Sequence, residues 1–256
     1  MNTILLEIKG SVAALTVNRP QALNALNTAV LKELSERLNE VAADRSLRCL
    51  VLRGAQERAF VAGADISEMK DLTAEQAYAF SQSGNHVFAQ LEQLNIPSIA
   101  VVQGYALGGG MELAMACDLR IASTKAVFGQ PETGLGITPA FGGTFRLNRL
   151  VGLGQAKRLL FSGETIKGDE AYRIGLAEYL AEPEELEALL DRTVDRICQC
   201  SASAITQLKQ LFAATQAGTL ATDCQREAAA FQRCFETPDQ KERMTAFLER
   251  GKSKKQ

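Results

Sequence analysis

Hydrophobic and polar positions follow two alternating periods in the first half of the chain. ILLEIKGSVAALTVNR (4–19) has the period-two alternation of strands and predicts a hairpin that turns near Lys9. TAVLKELSERLNEVAAD (28–44) has the spacing of an amphipathic helix, for which Thr28 is the expected N-cap. The continuous apolar run CLVLRG (49–54) then predicts a buried strand.

Two further cycles of strand and helix follow. TAEQAYAFSQSGNHVFAQLEQL (73–94) predicts a helix capped by Thr73, and SIAVVQG (98–104) predicts a strand. The third cycle, within 109–129, contains the predicted helix GGMELAMACD and the predicted strands LRIAS and AVFG. Strands and helices in repeated order predict an α/β fold whose parallel sheet is built by crossovers.

The pattern changes after about residue 143, where the segments have helical spacing only. They are separated by Gly, Pro, Ser and Thr, and they predict a C-terminal part made of helices. The predicted helices are GTFRLNRLVG, GQAKRLLFSG, KGDEAYRIG, PEELEALLDRTVDRICQ, SASAITQLKQLFAATQ, TLATDCQREAAAFQRCF and TPDQKERMTAFLERG. No low-complexity linker precedes them, so we expect them to pack on the core or on a neighbouring subunit.

Composition and charge exclude several classes of partner. The 256 residues include 28 basic and 30 acidic side chains, and the net charge of -2 disfavours nucleic acid and anionic membranes as partners. The first residues alternate and carry Glu7 and Lys9 within the apolar run, unlike a signal peptide. No stretch approaches the roughly 20 apolar residues of a membrane span, and we expect a cytoplasmic protein.

Cysteine and histidine usage argues against metal and histidine chemistry. The six cysteines form no C-x-x-C pair, which predicts reduced thiols. His86 is the only histidine, so neither a histidine-based triad nor a multi-histidine metal site is easily built. We expect His86 to face solvent or to pack on a helix.

Three glycines precede a predicted helix in GYALGGGMELAMACDLR (104–120). The chain has no G-x-x-x-x-G-K-[ST] motif and this loop is not G-x-G-x-x-G, so nucleotide binding has weak support. Glycine does allow close approach of a ligand, and the first amides of a helix lack internal acceptors. Such amides could stabilise an oxyanion, although a tight turn that merely needs glycine explains the same residues.

Two glutamates and a second loop add to the first interpretation. Glu112 lies about one turn into the predicted helix among apolar residues, where an unpaired carboxylate is costly unless it lies on an exposed face. Glu132, in FGQPETGLGITPAFGG, could hold a water molecule between itself and Glu112, although carboxylates on such loops are usually solvated. FVAGADI (60–66) follows the strand CLVLRG and could supply a second amide donor, with Asp65 capping the next turn.

These segments together resemble the crotonase (enoyl-CoA hydratase/isomerase) superfamily, from near residue 3 to near residue 250. The motifs that carry the resemblance are NRPQALNAL, AFVAGADISEM, IPSIAVVQGYALGGGMELAMACDLRIAS, FGQPETGLGITPAFGGTFRL and TAFLERGK, in the family's order and spacing. The resemblance implies the crotonase (ClpP/crotonase-like) spiral of strand-strand-helix turns. It implies an α/β core with the CoA-binding and catalytic site over 1–195, and a helical region over 196–256 for packing as a homotrimer or a dimer of trimers.

The resemblance also assigns roles to residues of the site. The backbone amides of Ala64 and Gly109 match the family's oxyanion donors, which would hold the thioester carbonyl of an acyl-CoA substrate. Glu112 and Glu132 match the two glutamates of the hydratases, whereas many relatives with other chemistries keep one or neither. This implies reversible hydration of trans-2-enoyl-CoA to (3S)-3-hydroxyacyl-CoA, with no metal and no cofactor other than the CoA of the substrate.

Within the family the chain resembles the bacterial short-chain members, the 3-hydroxybutyryl-CoA dehydratases, which implies a preference for substrates such as crotonyl-CoA. Residues expected to contact the substrate or its CoA group are Ala22, Leu23, Ala62, Asp65, Ile66, Gly108 and Lys252. Candidates for the acyl pocket are Met69, Leu72 and Phe80, although apolar residues at helical spacing are more often ordinary core.

The chain departs from the family's usual pattern at three positions. Ala140 stands where glycine is usual and could crowd the active-site loop, and Phe145 replaces the usual glutamine. Gln21 stands where lysine is frequent, so an ionic contact to CoA phosphate would be lost there unless Arg19, Arg250 or Lys252 replaces it.

Two other functions remain open at this stage. The nearest is an enoyl-CoA isomerase or another acyl-CoA lyase of the same superfamily; an isomerase would need only one of the two carboxylates. The second is a non-catalytic oligomeric binding protein that keeps the fold, against which the two glutamates and both donor loops argue.

Overall fold

A computed structural model of the chain describes residues 2–214. This part of the chain folds into ten strands and eight α-helices. The strands are β1 (Ile4–Lys9), β2 (Val12–Val17), β3 (Cys49–Gly54), β4 (Ala59–Val61), β5 (Ser98–Val102), β6 (Tyr105–Leu107), β7 (Leu119–Ser123), β8 (Val127–Gly129), β9 (Thr165–Lys167) and β10 (Tyr179–Ala181). The helices are α1 (Thr28–Ala43), α2 (Ile66–Met69), α3 (Ala74–Glu92), α4 (Gly109–Ala116), α5 (Gly143–Ser162), α6 (Gly168–Arg173), α7 (Leu186–Gln199) and α8 (Ala202–Ala214).

The strands form two sheets whose connections build a spiral. The larger sheet has the order β1-β2-β3-β5-β7-β10 and the smaller has the order β4-β6-β8-β9. In the successive pairs β3 and β4, β5 and β6, β7 and β8, the first strand joins the larger sheet and the second joins the smaller. Each pair is followed by a helix before the chain returns to the larger sheet. The strand-strand-helix spiral expected from the resemblance is therefore confirmed, and its repeated strands are parallel.

Most elements predicted from long periodic segments are present. β1 and β2 form the predicted antiparallel hairpin, in which Lys9 pairs with Val12. Thr73 caps α3 through a capping box in which its hydroxyl accepts from Gln76 N and the Gln76 side chain accepts from Thr73 N. The two helices predicted on either side of Gly152 follow each other within α5, which is interrupted at that glycine by a φ of 76°.

Three expectations about the elements are wrong. The part after residue 143 is not purely helical, because β9 and β10 each add a three-residue strand to the edge of a sheet. FVAGADI does not directly follow β3: its first residues form β4, in the other sheet. The N-cap of α1 is Asn27, whose side chain accepts from Val30 N at 2.9 Å, whereas the Thr28 hydroxyl donates to Glu68 at 2.6 Å.

The central strands β3, β5 and β7 of the larger sheet are buried on both faces, which explains their continuous apolar sequences. Along β3, Leu50 and Leu52 belong to the main core, together with residues of α1, α3 and α4. Cys49 and Val51 point to the opposite face, where α7 covers them with residues such as Leu190. The alternation of strand side chains thus divides one apolar run between two hydrophobic cores.

Helix α4 lies deepest in the molecule, since all eight of its residues are buried. Gly110 makes this position possible: a Cβ there would lie 1.9 Å from the backbone oxygen of Val61 in β4. Gly108, just before the helix, has φ 48° and ψ −122°, a conformation that residues with a Cβ rarely adopt. Two of the three glycines are therefore needed to turn the chain and to seat the helix against β4.

The remaining expectations concern the surface and the C-terminal region. The four cysteines within the described residues are free thiols, and His86 is exposed, as predicted. In residues 2–214 no helix is both long and apolar enough to cross a membrane. Lys252, Cys224, Cys234 and the last two predicted helices lie outside the described residues, and the division of the chain at residue 195 stays a prediction.

Candidate active site

The two predicted glutamates converge in one cavity of about 480 Å³. Glu112 lies one turn into α4, and Glu132 lies on a 3-10 turn, Pro131–Leu135, that follows β8. Only 1% of Glu112 and 8% of Glu132 is exposed. A Cβ on Gly108 would lie 2.9 Å from Glu132 Oε1, so the Glu132 carboxylate contacts the turn that leads into α4.

Glu112 is held by two backbone amides, one from the loop before α5 and one from the first residue of α5. Its Oε1 accepts hydrogen bonds from Phe141 N at 2.8 Å and from Gly143 N at 2.7 Å. A Cβ on Gly143 would lie 2.9 Å from the same oxygen, which explains the glycine. One carboxylate oxygen of this buried side chain is therefore committed to the protein, which offsets part of the cost of burying it.

Glu132 is held by a residue that the sequence did not single out. Gln130 is fully buried, and with its amide nitrogen turned toward Glu132 it donates to both carboxylate oxygens, at 3.0 and 3.2 Å. The only signal in the sequence is its position two residues before Glu132, in the loop GQPE. An amide has two donors and no charge, so it fixes the carboxylate without forcing it to ionise.

Burial raises the pKa of both glutamates. For Glu112 it raises the pKa from 4.5 to about 7, because loss of hydration and the nearby Glu132 outweigh the two amide donors and the more distant Arg146. Loss of hydration also raises the pKa of Glu132. Two carboxyl groups in one cavity titrate as a pair, and near neutral pH such a pair can hold one proton.

The two predicted oxyanion donors lie side by side at the same cavity. A Cβ on Gly109 would lie 3.4 Å from Ala64 N, and both residues line the cavity with Glu112. In the parallel bridge between Leu26 and Ala64, Leu26 N donates to Gly63 O and Asp65 N donates to Leu26 O. The N–H group of Ala64 takes no part in this bridge. Within the described part of the chain, the N–H groups of Ala64 and Gly109 have no acceptor, so both can donate to a ligand.

The residues predicted to contact the substrate divide into two groups. Ala62, Ile66 and Gly108 line the cavity. Ala22 and Leu23 do not line it; they adjoin it through Leu23 O, which accepts from Ala62 N at 3.0 Å. Their contacts with CoA stay predictions.

Asp65 has a structural role at the start of α2. Its side chain accepts from Ser67 N and so caps α2, as predicted, and it also pairs with Arg19 at 3.1 Å. Asp65 does not line the cavity. Because Arg19 is engaged in this pair, it is not a free replacement for the cation that Gln21 lacks.

The apolar wall of the cavity includes two of the three predicted acyl-pocket residues. Met69 and Phe80 line it, whereas Leu72 does not. Phe141 completes this wall, with its ring centroid 5.2 Å from that of Phe80. Sequence reasoning missed Phe141, because its role depends on a contact between a loop and a helix about 60 residues earlier in the chain.

The departures from the family pattern have different surroundings. Ala140 lines the cavity, and its carbonyl accepts from Ser81 Oγ at 2.6 Å and from Asn85 Nδ2 at 2.8 Å. The loop at this position is thus tied to α3. Phe145 is 71% exposed and Gln21 is exposed, so neither substitution changes the interior of the site.

Comparison with protein families gives a match to the model described as "Enoyl-CoA hydratase/isomerase" over residues 7–256. The chain belongs to this family. The recognition from sequence is confirmed, since the match covers almost the whole chain.

Two relatives of the enoyl-CoA hydratase/isomerase family show how similar the chain is to named enzymes. The short-chain-enoyl-CoA hydratase of Clostridium acetobutylicum is 49% identical over 252 residues, which is 98% of this chain and 97% of that protein. The crotonyl-CoA hydratase of Syntrophomonas wolfei is 48% identical over 254 residues, 98% of this chain and 96% of that protein. The crystal structure of an enoyl-CoA hydratase from Bacillus anthracis has a TM-score of 0.93 at 35% identity and covers 97% of each chain.

Within residues 2–214, no group of three or more His, Cys, Asp or Glu side chains is placed so that it could hold a metal ion. That the chain uses no cofactor other than the CoA of its substrate stays a prediction.

The raised pKa of Glu112 predicts how stability depends on pH. A carboxyl group whose pKa is about 7 when folded and near 4.5 when unfolded stabilises the protein fully below 4.5, and this contribution is lost as the pH rises through 7. The loss is on the order of 3 kcal/mol. We therefore expect Glu112→Gln to raise the thermal unfolding midpoint at about pH 8 and to change it little at about pH 4.5.

The matched control is Glu184→Gln, which removes an exposed carboxylate. Calorimetric unfolding of both variants and the parent at the two pH values makes the measurement. If Glu112→Gln changes the midpoint equally at both pH values, ionisation of the Glu112 carboxyl group does not destabilise the folded protein, and the prediction is wrong.

Proposed function

We propose that this chain catalyses the reversible hydration of short-chain trans-2-enoyl-CoA thioesters to (3S)-3-hydroxyacyl-CoA. The observation that carries the proposal is the placement of two buried carboxyl groups beside two unpaired backbone amides in one cavity. The names of the relatives from Clostridium acetobutylicum and Syntrophomonas wolfei support the same reaction. The short-chain preference is supported by the same names, short-chain-enoyl-CoA hydratase and crotonyl-CoA hydratase.

In the proposed mechanism the thioester oxygen accepts hydrogen bonds from Ala64 N and Gly109 N. Glu112, in its ionised form, takes a proton from water as the water oxygen bonds to Cβ. The electron pair of the double bond moves toward the thioester, and the amides stabilise the enolate oxygen. Glu132, in its protonated form, then gives its proton to Cα, and dehydration runs through the same steps in reverse.

Placement of Gly109 at the N-terminus of α4 favours this stabilisation. The first amides of a helix carry the positive end of its dipole, equivalent to about half an elementary charge, and so favour a developing oxyanion. The eight residues of α4 are all buried, so water does not screen the dipole along its length.

We also propose that the chain acts as a homo-oligomer, a trimer or a dimer of trimers. Large aromatic side chains exposed on α5, Phe145 at 71% and Phe161 at 75%, support further packing of this helix. The cytoplasmic location expected from the sequence stays a prediction.

Loss of the conjugated thioester absorbance on mixing the protein with crotonyl-CoA tests the reaction. We expect activity in the parent and a loss of about 10²- to 10⁴-fold in each of Glu112→Gln and Glu132→Gln, because each removes one proton-transfer group. Glu184→Gln again serves as the control and should retain full activity.

The outcomes separate the alternatives. An isomerase would move the double bond of a 3-enoyl-CoA and would keep this activity in Glu112→Gln. A protein that binds crotonyl-CoA without consuming it in either assay would be a non-catalytic binding protein, and the proposal would be wrong.

A pair of variants at Gly109 tests the oxyanion donor. Gly109→Pro removes the N–H group at the first position of a helix, where proline is tolerated. Gly109→Ala keeps the N–H group and adds a Cβ that would lie 3.2 Å from Phe141 Cδ2, so it controls for crowding. We expect kcat of Gly109→Pro to fall about 10²- to 10³-fold below that of Gly109→Ala. Equal rates in the two variants would remove the amide from the mechanism.

A further inference from the structure

We propose that Arg146 and its ion-pair partner Glu92 are positioning residues that fix the loop holding Glu112 and place a cation behind that carboxylate. The inference rests on the proposed function, since it concerns the glutamate that activates water. Neither residue lines the cavity, so both act through the loop.

Arg146 joins three elements through one guanidinium group. Its Nε and Nη2 donate to the two carboxylate oxygens of Glu92 in α3, at 2.8 and 2.7 Å, which is a bidentate pair. Its Nη1 donates to the carbonyl oxygen of Phe141. Only 11% of the Arg146 side chain is exposed, so water competes weakly with these contacts.

Phe141 is consequently held at both of its backbone groups. Its carbonyl accepts from Arg146, and its N–H donates to Glu112 Oε1 at 2.8 Å. The direction of the second donor, Gly143 N, depends on the same short loop. A change in the position of the Phe141 carbonyl therefore moves the amides that orient the carboxylate.

Gly142 shows that the loop is shaped around the guanidinium. It has a φ of 91°, and a Cβ there would lie 2.2 Å from Arg146 Nη1. A side chain at this position would displace Arg146 from the Phe141 carbonyl. The glycine is thus required by the arginine as well as by the turn.

Helix α3 presents a continuous row of residues to this loop. Ser81 and Asn85 donate to the Ala140 carbonyl, Phe88 lies under the guanidinium at 5.9 Å from its ring centroid, and Glu92 holds the other side of the cation. Intervals of four, three and four residues place all four on one face of the helix. One rigid helix face therefore sets the position of the loop from Ala140 onward.

The charge of Arg146 acts on Glu112 in addition to its contacts. It lowers the pKa of Glu112, against burial and against Glu132, which raise it. Arg146 and Glu132 are the charged side chains with the largest effects on Glu112. Glu92 faces Arg146 from α3, and Arg120 of β7 lies at the opposite end of α4, where it donates to Cys117 O. Replacing Arg146 by a neutral residue should leave Glu112 protonated to a higher pH.

The test compares Arg146→Gln, Arg146→Lys and Glu92→Gln with Arg149→Gln, which removes an exposed cation from the same helix. The pH profile of kcat/KM with crotonyl-CoA is one readout. The other, independent of activity, is the infrared band of the protonated carboxyl group in the free protein, identified by its absence in Glu112→Gln.

We expect Arg146→Gln to lower kcat about 10- to 100-fold with KM within about twofold, since misplacement of a catalytic group by a fraction of its contact distance is enough. The infrared midpoint and the limb of the profile that reports ionisation should both move to higher pH. Arg146→Lys keeps the cation without the bidentate geometry, so kcat should fall while the midpoint stays near that of the parent. Glu92→Gln should behave like Arg146→Lys.

Parent-like kcat and an unmoved infrared midpoint in Arg146→Gln, as in Arg149→Gln, would overturn the inference while hydration by the parent stands. If the parent does not hydrate crotonyl-CoA and the infrared midpoint still moves in Arg146→Gln, the proposed function fails, and the cation that Arg146 places behind Glu112 stands. Should Arg146→Gln not fold, a fall in kcat without a shift in midpoint in Arg146→Lys and Glu92→Gln supports the inference, and parent-like kinetics in both overturn it.

Discussion

The carboxylate of Glu112 lies in a helix with no exposed face, and the rest of the site is arranged around the cost of keeping it there. Burial alone favours the neutral acid, yet a group that activates water has to ionise. Two backbone amides offset part of that cost, and the cation of Arg146, which donates to the carbonyl oxygen of Phe141, offsets a smaller part. Phe141 lies in the loop before α5, Gly143 and Arg146 lie in α5, and both segments are tied to α3. Three segments besides α4 itself are therefore needed to support one side chain.

Backbone geometry supplies the donors that side chains do not. Ala64 lies where a parallel bridge to Leu26 uses the neighbouring peptide groups and leaves its own N–H unpaired. Gly109 is the first residue of α4, and its N–H is unpaired because the helix has no earlier carbonyl for it. Gly110 allows α4 to lie against the backbone of β4, so the end of one helix meets the end of one strand. This close approach brings the N–H groups of Ala64 and Gly109, from two separate loops, together as one pair of donors.

Sequence reasoning predicted the parts of this arrangement that depend on local pattern. The long amphipathic segments and the continuous apolar strands were placed correctly because burial imposes a regular period on them. The three-residue strands β6, β9 and β10 were missed, since such segments are too short to show a period and owe their conformation to pairing with neighbouring strands. Asn27 and Thr28 are both good N-caps, and only the contact of Thr28 with Glu68 in α2 decides between them.

Some residues of the candidate site could be predicted from sequence motifs, whereas others could not. The motifs around Gly109, Glu112 and Glu132 pointed to a carboxylate pair near a helix start, although nothing in the residues alone required the two to meet. Gln130 and Arg146 could not be assigned in this way, because an amide and a surface-type cation have no distinctive pattern. Their roles follow from what they contact in the folded chain, which for Arg146 is a residue 54 positions away.

The difference in exposure between the two glutamates bears on turnover. In the proposed hydration one proton leaves Glu132 for carbon and another reaches Glu112 from water, so the pair ends each turnover with its proton on the wrong carboxylate. Before the next hydration Glu112 has to lose a proton and Glu132 has to regain one. Glu132 is the more exposed of the two and is fixed by a neutral amide, so it can exchange with solvent at the cavity, whereas Glu112 is sealed by the loop that orients it. The contacts that make Glu112 an oriented base thus also make its deprotonation depend on water within the cavity.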